Sequence, residues 1–236
     1  MKIFFITATD TDAGKTFVAC ALIHALTSTG KLVAAYKPIA AGCQQEGELL
    51  VNEDAKLLNQ FANCQQKINE VNPIALVEAI APHIAAAHVN RDLTLEEIHQ
   101  GFTQVLSLNA DFTITEGAGG WRLPVNIKAK KSIFLSDFVI NTKQDVILVV
   151  NMKLGCLNHA LLTYQAIIAD GLNCIAWIAN SASAEPMLNL AENITSLEQL
   201  LPIPKIAQLS FYHDSAMSVS EKIVAAANQI DTTALL

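Results

Sequence analysis

The chain of 236 residues predicts an α/β fold with a mainly parallel central sheet and helices on both faces, and three observations carry that prediction. Strand-like apolar runs alternate with helical patterns along most of the sequence. The first run, Ile3-Phe4-Phe5-Ile6, leads directly into Ala8-Thr9-Asp10-Thr11-Asp12-Ala13-Gly14-Lys15-Thr16, the outline of a phosphate-binding loop between a strand and a helix. Composition is 52% apolar and 16% charged, enough for one core that buries roughly 70–75% of the unfolded surface without disulfides or metal. No linker, repeat or composition shift divides the chain, so residues 1–236 are expected to form one domain.

The elements follow in order. Lys2 to Thr7 reads as a short buried strand, and Phe17 to Ser28 as a helix rich enough in apolar residues to pack on a sheet. A second strand runs from Leu32 to Tyr36 and exits at Lys37-Pro38. Residues 42–90 hold no long periodic run; short helices are expected at Asp54 to Phe61 and Ile84 to His88, within an excursion over the C-terminal edge of the sheet. Thr94-Leu95-Glu96-Glu97 is a capping box that opens a helix to Leu108. The strand Phe112 to Thr115 and the helix Ile133 to Thr142 come next, then the strand Val146 to Val150. A helix from Leu157 to Asp170 is stopped by Gly171, and one from Pro186 to Leu201 by Pro202, with the strand Cys174 to Ala179 between them. Lys205 to Leu209 forms the last strand, and Ser215 to Ile230 the last helix.

Charge and cysteine usage exclude several classes. The net charge is −7 and the pI near 5.3, and Lys128-Ala129-Lys130-Lys131, read as a solvated turn, is the only basic run, so a nucleic-acid footprint is absent. Five cysteines (Cys20, Cys43, Cys64, Cys156, Cys174) show no C-x-x-C pair and read as small apolar residues in a reducing compartment. The apolar start is too short for a signal segment and no run is long enough to span a bilayer, so no membrane partner and a cytoplasmic location are expected.

Three stretches carry chemistry. In the loop, backbone N–H groups at a helix start would cradle phosphate, with Lys15 reaching the β- and γ-phosphates and the Thr16 hydroxyl placed for Mg²⁺. At Phe112-Thr113-Ile114-Thr115-Glu116-Gly117-Ala118-Gly119-Gly120-Trp121 an apolar strand ends on a carboxylate and enters a glycine-rich turn, a place from which Glu116 could meet the metal between phosphates. Tyr36-Lys37-Pro38 puts a second lysine at the end of the second strand, expected beside the first strand, so that two cations flank one phosphate. None of the six histidines shows a ligand or catalytic pattern; His83 and His88, five apart, do not share a helix face.

These stretches, together with Asn52-Glu53-Asp54-Ala55, Ala81-Pro82-His83, Lys153-Leu154-Gly155-Cys156-Leu157-Asn158-His159-Ala160 and Trp177-Ile178-Ala179-Asn180, resemble the dethiobiotin synthetase family in order and spacing over nearly the whole chain. The resemblance implies a P-loop NTPase-like fold and a ligase that converts 7,8-diaminononanoate, CO₂ (or bicarbonate) and MgATP to dethiobiotin through a carbamate and a carbamic-phosphoric anhydride. It implies that Thr16, Asp54 and Glu116 hold Mg²⁺, that Lys15 and Lys37 contact the γ-phosphate, and that Thr11 and Lys37 face the carbamate. Asp12 and Ala41 fall beside the substrate; Asp12, Ala13, Gly14, Lys15, Thr16, Phe17, Glu116 and Asn180 belong to the nucleotide site, with Asn180 on adenine. Leu154, Gly155, Cys156 and Asn158 would receive the substrate carboxylate from the other subunit of a homodimer. Ala8 replaces the first loop glycine, Ala41 a frequent serine, and Gln208-Leu209-Ser210-Phe211 the usual run near the nucleoside. A nucleotide-switched partitioning or positioning ATPase, or a catalytically silent relative, is the alternative, against which stand Asp10 and Asp12 where such loops carry an extra lysine.

Overall fold

The structure, a computed structural model, describes residues 1–128 and 131–236, so the centre of the turn read at 128–131 lies outside the described residues. In chain order the first third holds β1 (Lys2–Ala8), α1 (Lys15–Ser28), β2 (Val33–Tyr36), β3 (Ile39–Ala40), β4 (Gln44–Glu46), β5 (Leu49–Val51), α2 (Glu53–Phe61), α3 (Ile68–Val71) and β6 (Ile74–Ala75). There follow α4 (Pro82–His88), α5 (Leu95–Leu106), β7 (Phe112–Glu116), β8 (Pro124–Lys128), β9 (Lys131–Phe134), α6 (Leu135–Thr142) and β10 (Asp145–Asn151). The chain closes with α7 (Cys156–Ala169), β11 (Cys174–Asn180), α8 (Leu190–Leu200), β12 (Lys205–Leu209) and α9 (Val219–Ala227).

The six long strands form one parallel sheet in the order β12-β11-β10-β1-β7-β2, bearing out the predicted fold class. Alternation along each strand sends neighbouring residues to opposite faces. Phe4, Ile6, Ile147, Val149, Ala176 and Ile178 join α1, α2 and α9 in one core. Phe5, Leu148, Val150 and Trp177 join α5, α6, α7 and α8 in the other. With both faces covered, strands can be apolar throughout, and β7 and β2 are buried at every position.

Strand order corrects one expectation. The second strand does not lie against β1: β7 pairs with both, so Glu116 stands between the two strands that deliver Lys15 and Lys37. The chain leaves β1 toward β2 on one side while β10 flanks β1 on the other, so the loop after β1 emerges at a topological switch point, the usual ligand crevice of such sheets.

Three helix starts are also corrected. Ile133 and Phe134 pair with β8 in a hairpin, and α6 begins only at Leu135, its entry fixed by the Asp137 carboxylate accepting from the Phe134 N–H at 2.9 Å. Asn189 is left-handed (φ 52), which starts α8 at Leu190 rather than Pro186. Ser218 caps α9 through a reciprocal bond with Glu221, so residues 215–217 precede the helix, which ends at Ala227. The two- and three-residue strands β3 to β6 are too short to leave a periodic signal, and none was expected.

Candidate active site

The loop after β1 is shaped by two left-handed positions, Asp12 (φ 58) and Gly14 (φ 79). Ala8 is not one of them: it is the last residue of β1, paired with Val149 and fully buried, so its methyl group is packed core and the missing glycine leaves the loop intact. At Gly14 the absence of a side chain is required, since a Cβ there would stand 2.3 Å from Asn180 Nδ2. That amide donates to the Ala13 carbonyl at 2.8 Å and braces the loop from β11. Helix α1 then opens at Lys15 with no side-chain cap and no acidic residue in its first turn, which leaves its N–H groups and the positive end of its dipole for an anion.

The charged centre lies where β7 and β2 end. Glu116 is 1% exposed. Its Oε1 accepts from Lys37 Nζ at 2.7 Å and Thr16 Oγ1 at 2.8 Å, while its Oε2 is buried without a partner. Lys37, 4% exposed, also reaches Asp54 Oδ2 at 3.2 Å. Burial pulls the Lys37 pKa down, but Glu116 and Asp54 together outweigh it and the ammonium is held above the usual lysine value. Lys15, whose ammonium meets the Asp10 carbonyl at 3.3 Å, is instead pushed below that value, chiefly by burial, against the pull of Glu116.

All this faces one cleft of about 1010 Å³ at the C-terminal edge of the sheet. Of the residues singled out in the sequence, Thr11, Asp12, Gly14, Lys15, Thr16 and Phe17 line it from the loop side. Lys37, Ala41, Glu116 and Asn180 line it from the ends of four other strands and Asp54 from α2, and Ala13 is buried just behind. Among the described residues no group of three His, Cys, Asp or Glu side chains could cage a metal. A hydroxyl and two carboxylates, one of them Glu116 with its unpartnered oxygen, suit instead an ion that arrives with phosphate oxygens and keeps water, as Mg²⁺ does.

Leu154, Gly155, Cys156 and Asn158 are not in this cleft. They sit at the start of α7, where Gly155 (φ 94) caps the helix without a side-chain bond and Leu154 is 94% exposed. Cys156 is buried, and burial raises its thiol pKa, as it does those of the other four free cysteines. Helix α7 buries only Cys156, Ala160 and Ile167, and leaves Leu162 and Ile168 exposed.

Several supporting residues escape sequence reasoning. Asn52 caps α2, its side chain accepting from the Asp54 N–H at 3.1 Å and donating to the Ala41 carbonyl at 3.2 Å, so one amide fixes both neighbours; the run Asn52-Glu53-Asp54 before an apolar stretch was its available signal. Asn72 donates to the Lys37 carbonyl at 2.7 Å, a long-range contact no local pattern announces. Lys153 pairs with Asp10 of the phosphate loop. At the far end of the cleft Tyr212 packs on Phe17 with ring centroids 5.9 Å apart, an apolar wall suited to a base.

Comparison with known proteins places the chain by sequence and by fold. A family model described as an AAA domain matches residues 2–217. An ATP-dependent dethiobiotin synthetase BioD from Alteromonas mediterranea is 46% identical over 217 residues, covering 89% of this chain and 93% of the relative. Proteins of the same name from Pseudomonas aeruginosa (41% identical, 89% and 90% covered) and Cellvibrio japonicus (46%, 86% and 86%) also match. Among solved structures, a ParA family ATPase from Chlorobium tepidum superposes with a TM-score of 0.54 at 14% identity, covering 96% of this chain and 90% of that one. The MinD cell division protein of Aquifex aeolicus gives 0.55 at 13% identity, with 97% and 95% covered. At such low identity these two establish the P-loop NTPase architecture alone.

Proposed function

The chain belongs to the family of ATP-dependent dethiobiotin synthetases, and from that membership we propose how its residues divide the work of joining 7,8-diaminononanoate to CO₂ with ATP as co-substrate. The observation that carries the reading is Glu116, buried between Lys37 and Thr16 at the mouth of the phosphate loop, with Asp54 beyond the lysine.

The reaction asks the protein for positioning and charge balance, because the attacking groups belong to the substrate. One amine takes up CO₂ as a carbamate; a carbamate oxygen attacks the γ-phosphorus and ADP leaves; the second amine closes the ureido ring and expels phosphate. Lys15 and the free N–H groups of α1 hold the β- and γ-phosphates. Lys37, kept charged by its carboxylate neighbours, meets the transferring phosphoryl group and the carbamate, and Thr11 turns its hydroxyl to the carbamate. Asp12 faces the amines. Ala41 offers no hydroxyl, so the substrate forgoes a hydrogen bond worth about 0.5–1.5 kcal/mol. Asn180 and the Phe17–Tyr212 wall take the base. Thr16, Asp54 and Glu116 would hold Mg²⁺, which neutralises phosphate charge when bound.

A homodimer completes this reading. An exposed apolar face on α7, with Leu154 projecting at its start, fits a second copy whose cleft receives Gly155 and Asn158 against the substrate carboxylate. Among the described residues no helix is long and apolar enough to cross a membrane, and we place the enzyme, as one domain, in the cytoplasm. Asp10, paired with Lys153 where a partitioning ATPase carries a lysine, disfavours that alternative.

The test is direct. Purified protein with the diamine, bicarbonate and MgATP should form a ureido product with ATP hydrolysis that depends on the diamine; diamine-independent turnover would overturn the reading. Lys37→Gln should cut turnover at least about 100-fold while nucleotide affinity changes little.

A further inference from the structure

Two loops border the phosphate site, and both are tied to opposite ends of α7. The phosphate loop is joined near the helix start by the Asp10–Lys153 pair. The glycine-rich turn is joined at the helix end, where Asp170, the residue that caps α7, accepts from Trp121 Nε1 at 2.8 Å and from Arg122 Nη2 at 2.7 Å. Arg122 also donates to Ser136 Oγ at 3.2 Å.

The turn between these anchors is part of the cleft. Gly117, Ala118 and Gly119 line it, and a Cβ on Gly119 would come within 3.9 Å of Thr11 Oγ1. Close packing fixes its first residue, since a Cβ on Gly117 would strike Phe5 Cζ at 2.8 Å, and its N–H donates to the Ile6 carbonyl at 3.0 Å. Beyond that point the glycines supply no side chains of their own to hold the path. The next side chains that can do so are Trp121, whose ring stands edge-on to Phe5 at 6.0 Å, and Arg122. Both converge on one carboxylate.

We propose that Asp170 is a positioning residue for the reaction: through Trp121 and Arg122 it holds the glycine-rich turn at the depth from which that turn confines the γ-phosphate and the carbamate beside Thr11. This rests on the reading given under Proposed function. Asp170 touches no substrate, and the adenine end of the cleft, built from β11 and the 210–212 segment, is independent of it. Its loss therefore affects the chemical step more than nucleotide capture. Trp121 stays in its core pocket by ring packing, but its indole N–H, on a side chain only 5% exposed, loses its acceptor, and the arginine loses its ion pair and keeps only the hydrogen bond to Ser136.

Asp170→Ala should lower kcat by about tenfold or more while the KM for ATP stays within about twofold. Asp170→Asn keeps an acceptor for Trp121 and should restore most of the rate. Indole emission of Trp121, read in a Trp177→Phe background, should shift to the blue in Asp170→Ala, where the buried N–H loses its acceptor, and return most of the way in Asp170→Asn. Equal kcat in the alanine variant, or a rise in KM with kcat unchanged, would overturn the proposal. Should that variant not fold, Arg122→Met, which breaks only the more exposed half of the anchor, reads the same kcat-against-KM split. A wild-type protein lacking diamine-dependent turnover would instead sink the functional reading, and the two failures are thereby distinguished.

Discussion

Lys15 and Lys37 are chemically the same residue in two different electrostatic settings. Lys37 sits against two carboxylates, so its proton is held more tightly than in the unfolded chain, and the stability it contributes is lost only as pH rises through a value above that of free lysine. Lys15 has lost water without gaining a comparable partner, and its proton leaves below the ordinary lysine range. Phosphate binds the protonated form, so nucleotide affinity should fall with rising pH while a free lysine is still charged. Calorimetric titration of ATP between about pH 7 and 10 checks this, since the decline should begin below the ordinary lysine value of 10.5. Affinity flat across that range would show that Lys15 keeps its proton. The identity of both lysines was readable from short motifs, but their difference was not. It depends on Glu116 and Asp54, which come from strands and helices distant in sequence.

At the scale of elements, helix α5 shows how tertiary contact reverses a local preference. Gly101 lies within the helix, where replacement by alanine ordinarily gains up to about 1 kcal/mol. Here a Cβ would fall 2.7 Å from Tyr36 Oη and 3.0 Å from Pro73 Cγ. That hydroxyl donates to the Ile98 carbonyl at 2.6 Å and cannot yield without breaking a buried bond. Gly101→Ala should therefore destabilise the protein by about 1–3 kcal/mol, measured by urea unfolding; a gain in stability would mean that Tyr36 moves freely. Long amphipathic or continuously apolar segments announced themselves in the sequence, and the six principal strands lie within a residue or two of their expected bounds. What failed were helix starts at 133, 186 and 215, where a hairpin register, a left-handed asparagine and a serine cap override apolar pattern. The small sheets around residues 39–75 were invisible for a related reason. Strands of two or three residues are fixed by the partner they meet, not by their own period.

For the whole molecule, the cleft of one chain brings together the nucleotide residues and Lys37 but leaves the α7 start outside it. If the active site is shared between two copies, a Lys37→Gln chain and an Asn158→Ala/Gly155→Asp chain, each inactive alone, should recover activity when mixed and allowed to exchange subunits, because one of the two sites in a mixed dimer is intact. Absence of recovery, with mixed dimers demonstrated by sedimentation and mass, would confine the site to a single chain. Sheet order was the part of the architecture least accessible to sequence. Nothing local says that β7 inserts between β1 and β2, yet that insertion places the Glu116 carboxylate against both the Lys37 ammonium and the Thr16 hydroxyl. The central place of β1, hydrogen-bonded to β10 on one side and β7 on the other and covered on both faces, has one more effect. Its amides exchange with deuterium only when the whole domain opens, so they report global unfolding, while the loop that leaves its last residue can register nucleotide binding against that fixed internal reference.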